Sequence, residues 1–222
     1  MKPPAKRPRE STAAKQARAA IVYDGLASAY PTAGCELDHL NAYQLIVATI
    51  LSAQCTDARV NMVTPALFAK FPNAASLARA RRPTLEKMIK STGFFRNKSK
   101  SLVAMAQAVM KDHGGEIPKT MDALVKLPGV GRKTANVVLG NAFGVNEGIV
   151  VDTHVTRLSR RLGFTAQTDP VKIEAELMPL FPHERWTMLA HLLIWHGRRV
   201  CDARKPRCGE CTIAAHCPSR QL

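Results

Sequence analysis

Leu127-Pro-Gly-Val-Gly-Arg-Lys-Thr-Ala135 is the stretch on which the fold turns. It lies between two segments with helical apolar stripes. Met121, Leu124 and Val125 precede it; Ala135, Val138, Leu139 and Ala142 follow it. Gly129 and Gly131 bracket a tight turn, where glycine admits positive φ and lets a backbone approach a ligand closely. The second helix starts just past the turn, so its free N–H groups point into it. Such a helix end attracts anions, and a phosphate suits it. Arg132 adds positive charge there, and Thr134 is a further candidate contact. A glycine turn between two helices is by itself often only a turn.

The helical period continues outward. Leu102, Met105, Ala106 and Val109 fall at i, i+3, i+4 and i+7, the spacing of one buried helix face. Leu45, Ala48, Thr49 and Ser52 form another face, as do Val155, Leu158 and Leu162. Leu189, Leu192 and Leu193 mark a last helix. Met62, Leu67 and Phe68 lie on a helix expected to break or bend at Pro65. Only Gly148-Ile-Val-Val151 resembles a short buried strand. There is no internal repeat, and the expected class is all-α.

The chain has 222 residues, enough for one large domain or two small ones. With 46% hydrophobic and 22% charged residues it can build a core. The net charge of +15 points to a polyanionic partner, nucleic acid above all. No apolar run approaches the ~20 residues of a membrane span. The start, MKPPAKRPRE, has no apolar signal region. A cytosolic protein is expected. Residues 1–18 carry Lys2, Lys6, Arg7, Arg9, Lys15 and Arg18 against Glu10, which reads as a disordered basic arm.

Lys133 falls roughly opposite the stripe of its helix at about 100° per residue. A solvated lysine is the plain alternative. A nucleophilic amine must have lost its proton, and a free lysine holds it up to a pH near ~10. The positive end of the helix dipole and Arg132 both disfavour the ammonium. Asp152, in Val150-Val-Asp-Thr-His-Val155, precedes a helix and suits its N-cap. Capping is compatible with chemistry, because a carboxylate there can stabilise positive charge developing at a sugar carbon. His154 is a packing residue or a phosphate contact.

Six cysteines in a cytosolic chain suggest metal rather than disulfides. Cys35 and Cys55 stand apart and read as small packed side chains. The others run Cys201-x6-Cys208-x2-Cys211-x5-Cys217. Four thiolates at this spacing suit zinc and an iron–sulfur cube comparably, with His191, His196 and His216 as further ligand candidates. The x6 loop carries Arg204, Lys205 and Arg207 against Asp202. A metal-clamped basic loop is suited to gripping phosphate.

Three separated strings together resemble the endonuclease III family of helix-hairpin-helix DNA glycosylases. They are Leu51-Ser-Ala-Gln-Cys-Thr-Asp57, Leu127–Ala135 with Val151-Asp-Thr-His154, and the four cysteines. The match runs from about Ile21 to Cys217. The resemblance implies two helical domains flanking a DNA-binding cleft: a multi-helix domain over 37–146 with the hairpin, and an iron–sulfur domain from 19–36 plus 147–222. It implies a mainly structural [4Fe–4S] cluster on Cys201, Cys208, Cys211 and Cys217. It makes Lys133 the nucleophile and Asp152 its carboxylate partner in base removal and strand cleavage by β-elimination. DNA contacts would come from Gln54, Phe94, Gly129, Gly131, Arg132, Thr134, His154, Arg204, Lys205 and Arg207. Gln54 matches the side chain that fills the hole left by a flipped base, and Phe94 the wedge beside it.

The implied substrates are oxidised pyrimidines such as thymine glycol in double-stranded DNA, and abasic sites. The implied protein is a bacterial, cytoplasmic, nucleoid-associated monomer with no membrane contact. Adenine-mismatch relatives lack the lysine and carry an upstream glutamate; Thr49 stands at that position here. Phe94 replaces a commoner aliphatic wedge, and the basic arm is extra. A non-catalytic DNA-binding module, a redox sensor, and a glycosylase for pyrimidine dimers or mismatched thymine are the competing readings.

Overall fold

α1 spans Thr12–Ala29 in the computed structural model, which describes residues 10–221. Ser11 caps it by accepting the Ala14 amide (3.2 Å). The disordered arm expected over residues 1–18 is therefore corrected at 12–18, which form the first turns of this helix. The cause is a good cap, a run of alanines, and Arg18. The Arg18 guanidinium donates to both Glu10 carboxylate oxygens (2.8 and 2.9 Å) and to the Leu162 carbonyl (2.6 Å). A basic charge count could not reveal that a single arginine ties the segment down. Lys2, Lys6, Arg7 and Arg9 lie outside the described residues.

Close backbone contacts divide the chain into two units. One is continuous, Cys35–Gly148; the other joins the segment up to Gly34 with the segment from Ile149 onward. In the continuous unit, α2 (Ala42–Leu51) has a side-chain cap on Asn41 and is buried at every position from Leu45 to Leu51. A helix buried on all sides belongs at the centre of a core, and α2 packs against α3 (Asp57–Lys70), α6 and α8. α4 (Ala74–Ala78) opens on an Asn73–Ser76 capping box, and α5 (Arg82–Ile89) leads into a tight 3-10 turn, Lys90–Thr92. α6 (Phe95–His113) packs on α4 and α5, with Leu102, Met105, Ala106 and Val109 fully buried. Each such leucine contributes about 1.5–3 kcal/mol on leaving water. α7 (Met121–Leu124) and α8 (Arg132–Phe143) flank the glycine turn.

In this unit α3 does not break at Pro65, which lies inside it. The ring removes one hydrogen bond at an exposed position, while Val60, Thr64 and Leu67 bury the face on either side of it. Met62 is 69% exposed rather than part of the core stripe.

In the discontinuous unit, α9 (Thr153–Arg161) packs on α10 (Pro170–Leu177) and α11 (Trp186–Arg199), and α1 packs on α11. Val22, Leu26, Val155, Leu158, Phe164, Leu177, Leu189 and Leu193 are buried in it. The chain beyond α11 holds only two single-turn 3-10 segments, Cys208–Glu210 and Ala214–His216. Among the described residues there is no strand. Ile149, Val150 and Val151 are buried but form no strand, a distinction that an apolar run alone does not carry. No helix among the described residues is long and apolar enough to cross a membrane.

Candidate functional site

The glycine turn is built by unequal glycines. Gly129 has φ +79°, a left-handed conformation, and a Cβ placed on it would lie 2.7 Å from Ser101 Cβ on α6. It is therefore required twice, by its backbone and by close helix packing. Gly131 sits at φ −95° as the N-cap of α8, and a Cβ there meets no atom within 4 Å. Of the two glycines, only Gly129 uses positive φ; Gly131 leaves open space above its backbone. Gly129→Ala is expected to cost roughly 2–4 kcal/mol from left-handed strain plus overpacking. Gly131→Ala should leave stability within about 0.5 kcal/mol, since nothing in the protein opposes it. Thermal unfolding of both variants checks this, and equal losses would contradict it. Affinity of Gly131→Ala for an abasic duplex then isolates any crowding of an approaching phosphate.

No side chain caps α8. Its first turn thus presents backbone amides toward the turn, with the exposed side chains of Arg132 and Lys133 beside them. Lys133 is the second residue of the helix, on the side away from buried Ala135, Val138 and Leu139. Nothing in the continuous unit covers it.

A depression of about 280 Å³ adjoins the turn. Thr49, Gln54, Phe94, Lys98, Gly129 and Thr134 are among its lining residues. Four residues named from sequence, Gln54, Phe94, Gly129 and Thr134, are thus brought together. Gln54 (φ +54°) and Phe94 (φ +45°) are the only non-glycine residues with positive φ among those described. Phe94 is 61% exposed, which settles against core packing. Thr49 is buried with its hydroxyl donated to the Leu45 carbonyl (2.7 Å).

Asp152 lies in the other unit. One carboxylate oxygen accepts the amides of His154 and Val155 (both 2.8 Å), capping α9. The other is 2.9 Å from His154 Nδ1. Two amide donors at a helix N-terminus favour the ionised carboxylate. His154 also packs on α11: a Cβ on Gly197 would lie 3.1 Å from His154 Cβ. The ring is thus held between Asp152 and α11.

The four cysteines Cys201, Cys208, Cys211 and Cys217 line one cavity of about 280 Å³, with Leu158, Leu162, His196 and Ile213. Burial pushes the Cys211 and Cys217 thiols up. No three potential ligands among the described residues converge closely enough to share one metal ion. Four thiols lining one void fit a bound metal group. Of the histidines, only His196 lines the cavity. Its Nε2 is 3.4 Å from Cys211 Sγ and its Nδ1 2.9 Å from the Tyr30 hydroxyl, and burial holds it down to about 4.

Sequence reasoning missed what fixes the basic loop. Arg161 donates to the Asp202 and Ala203 carbonyls (2.7 and 2.8 Å) and to Cys201 Sγ (3.2 Å). Arg157 donates to the carbonyls of Gly197 (2.9 Å) and Cys201 (3.1 Å). The Asp202 carboxylate accepts the Arg204 and Lys205 amides. Arg204, Lys205 and Arg207 are left exposed on a loop whose backbone is pinned. Lys98 was missed as well. Its signal was present: it precedes Leu102 by four residues, on the buried stripe of α6, where a charge is out of place.

Known proteins align with this geometry. Residues 47–183 match the family described as HhH-GPD superfamily base excision DNA repair protein. Endonuclease III of Synechocystis sp. is 53% identical over 94% of this chain and 95% of its own length. Endonuclease III of Bacillus subtilis is 47% identical over 89% of this chain and 90% of its own. A solved structure of a trapped endonuclease III–DNA covalent intermediate superposes with a TM-score of 0.87 at 41% identity, covering 92% of this chain and 96% of that one.

Proposed function

Since the chain belongs to the HhH-GPD superfamily of base excision DNA repair proteins, and within it to the endonuclease III family, we propose that it excises oxidised pyrimidines such as thymine glycol and then nicks the strand. It is a DNA glycosylase and abasic-site lyase. The observation that carries the reading is Lys133, exposed in the first turn of an uncapped helix directly after the phosphate-accepting turn.

The damaged nucleotide leaves the base stack. The neutral amine of Lys133 attacks C1′, and the bond from C1′ to the base breaks as the new C–N bond forms. The Asp152 carboxylate, fixed by its cap bonds, stabilises the positive charge that develops at C1′. Opening of the sugar ring gives a protonated imine. That imine acidifies C2′; loss of a C2′ proton expels the 3′ phosphate, and water releases the lysine. Gln54 and Phe94 occupy the space that the extruded nucleotide vacates. The turn at Gly129 and Gly131, with Arg132, Thr134 and His154, holds phosphates, as do Arg204, Lys205 and Arg207.

Cys201, Cys208, Cys211 and Cys217 hold a [4Fe–4S] cluster whose contribution is structural: it closes the loop that carries the three basic side chains. The cavity they line supports this assignment. The enzyme works as a monomer on DNA in the bacterial cytoplasm.

Incubation with duplexes containing thymine glycol, a cyclobutane dimer or a T:G mismatch tests the substrate class. Strand cleavage only at thymine glycol is expected. Cleavage confined to dimers or mismatches would overturn the substrate assignment, and cleavage of none, abasic duplex included, would overturn the enzyme.

A further inference from the structure

Lys98 is 6% exposed, and its ammonium donates to two backbone carbonyls, Leu51 O (2.8 Å) and Thr92 O (2.7 Å). A buried ammonium costs several kcal/mol unless its donors are satisfied. Burial accordingly lowers its proton affinity, with Cys55 the one neighbour whose charge opposes that. Charge-assisted bonds of this length are about twice as strong as neutral ones.

The two acceptors stand at significant places. Leu51 is the last residue of α2, so its carbonyl has no partner within the helix. Three residues on stands Gln54. Thr92 closes the 3-10 turn, and two residues on stands Phe94. One cation therefore joins the segments that carry both left-handed side chains, and Lys98 lines the same depression as they do. A left-handed non-glycine residue is strained and persists only where its surroundings over-determine it. The bonds from Lys98 supply that constraint on the far side of each loop.

We propose that Lys98 is a positioning residue: it sets the spacing of Gln54 and Phe94 so that both can enter the duplex together when the damaged nucleotide leaves. This rests on the reading of Gln54 and Phe94 given above. Lys98 touches neither the sugar nor the base, so it acts on extrusion and not on the amine chemistry. Misplacement of a working group by about 1 Å costs on the order of 10²-fold.

The test uses single-turnover cleavage by full-length Lys98→Met on two substrates. One is a thymine-glycol duplex, where a nucleotide must be extruded. The other is single-stranded abasic DNA, where nothing has to be unstacked. The expected result is a loss of roughly 10–100-fold on the duplex and a change under about twofold on the single strand. 2-Aminopurine opposite the lesion should brighten less on binding than with the wild type. Unchanged duplex cleavage overturns the proposal. So does an equal loss on both substrates, which would mark Lys98 as merely structural. Should Lys98→Met be insoluble, Lys98→Gln, which stays polar but loses the charge and the reach to both carbonyls, carries the same comparison. A Gln54→Ala/Phe94→Ala double variant runs beside it. If that variant cleaves the duplex normally, the reading of Gln54 and Phe94 has failed. If it shows the duplex-selective loss and Lys98→Met does not, the Lys98 proposal alone has failed.

Discussion

Lys133→Gln is expected to abolish the covalent adduct that borohydride traps on a thymine-glycol or abasic duplex, and to lower strand cleavage by on the order of 10³-fold or more. The amide keeps the polarity and most of the length of the side chain, but its nitrogen lone pair is delocalised into the carbonyl and cannot form an imine. Lys133 is exposed and faces away from the core stripe of α8. Stability should therefore change by less than about 0.5 kcal/mol, and binding to abasic DNA should persist. Trapping, cleavage, melting and binding of the two proteins together separate lost chemistry from lost structure. An adduct that survives in Lys133→Gln would transfer the imine to another amine. No adduct with either protein, despite binding, would leave a monofunctional glycosylase or a binding module.

Cys208→Ala should lose the visible absorbance of an iron–sulfur cluster and most of the soluble protein. Apart from the bonds of Arg157 and Arg161 to residues 201–203, the described segment after α11 has two single-turn 3-10 segments and one well-buried apolar side chain, Ile213. Metal binding is folding free energy for such a segment. Loss of one of four thiols opens the cavity and frees the loop that carries Arg204, Lys205 and Arg207. Iron content, absorbance and soluble fraction measure the effect. A brown, soluble Cys208→Ala protein would show that three thiols suffice and that the loop is held by Arg157 and Arg161 alone.

The helical class was legible because burial has a period. Leu102, Met105, Ala106 and Val109 are spaced as one helix face, and all four are fully buried. The four cysteines were legible as one group because they crowd into 17 residues. What was not legible depends on single contacts that no period encodes. Arg18 turns a basic tail into helix by bonding Leu162, far along the chain. Pro65 survives within α3 because the packing around it outweighs one lost hydrogen bond. The run Ile149–Val151 is buried like a strand without being one. Gly129 and Gly131 look equivalent in the string, yet only one is left-handed. The left-handed backbone at Gln54 and Phe94 has no signature in residue type, since neither amino acid favours it. The last two, at the glycine turn and at Gln54 and Phe94, lie where the chain is proposed to meet DNA, as expected of positions that break local rules.

The unit that carries the cysteines is assembled from both ends of the chain. At ribosomal rates of about 5–20 residues per second, α1 leaves the ribosome roughly 10–40 seconds before Cys217 does. Its apolar face, Ala19, Val22 and Leu26, must wait that long for α11. The segment from Cys35 to Gly148 can complete itself meanwhile, and the cysteines are made last. If the proposed cluster is slow to load, chains short of iron would stall with the segment from Cys201 to Cys217 still loose and open to chaperones and proteases. The supply of repair enzyme would follow the cell's iron at the moment of synthesis.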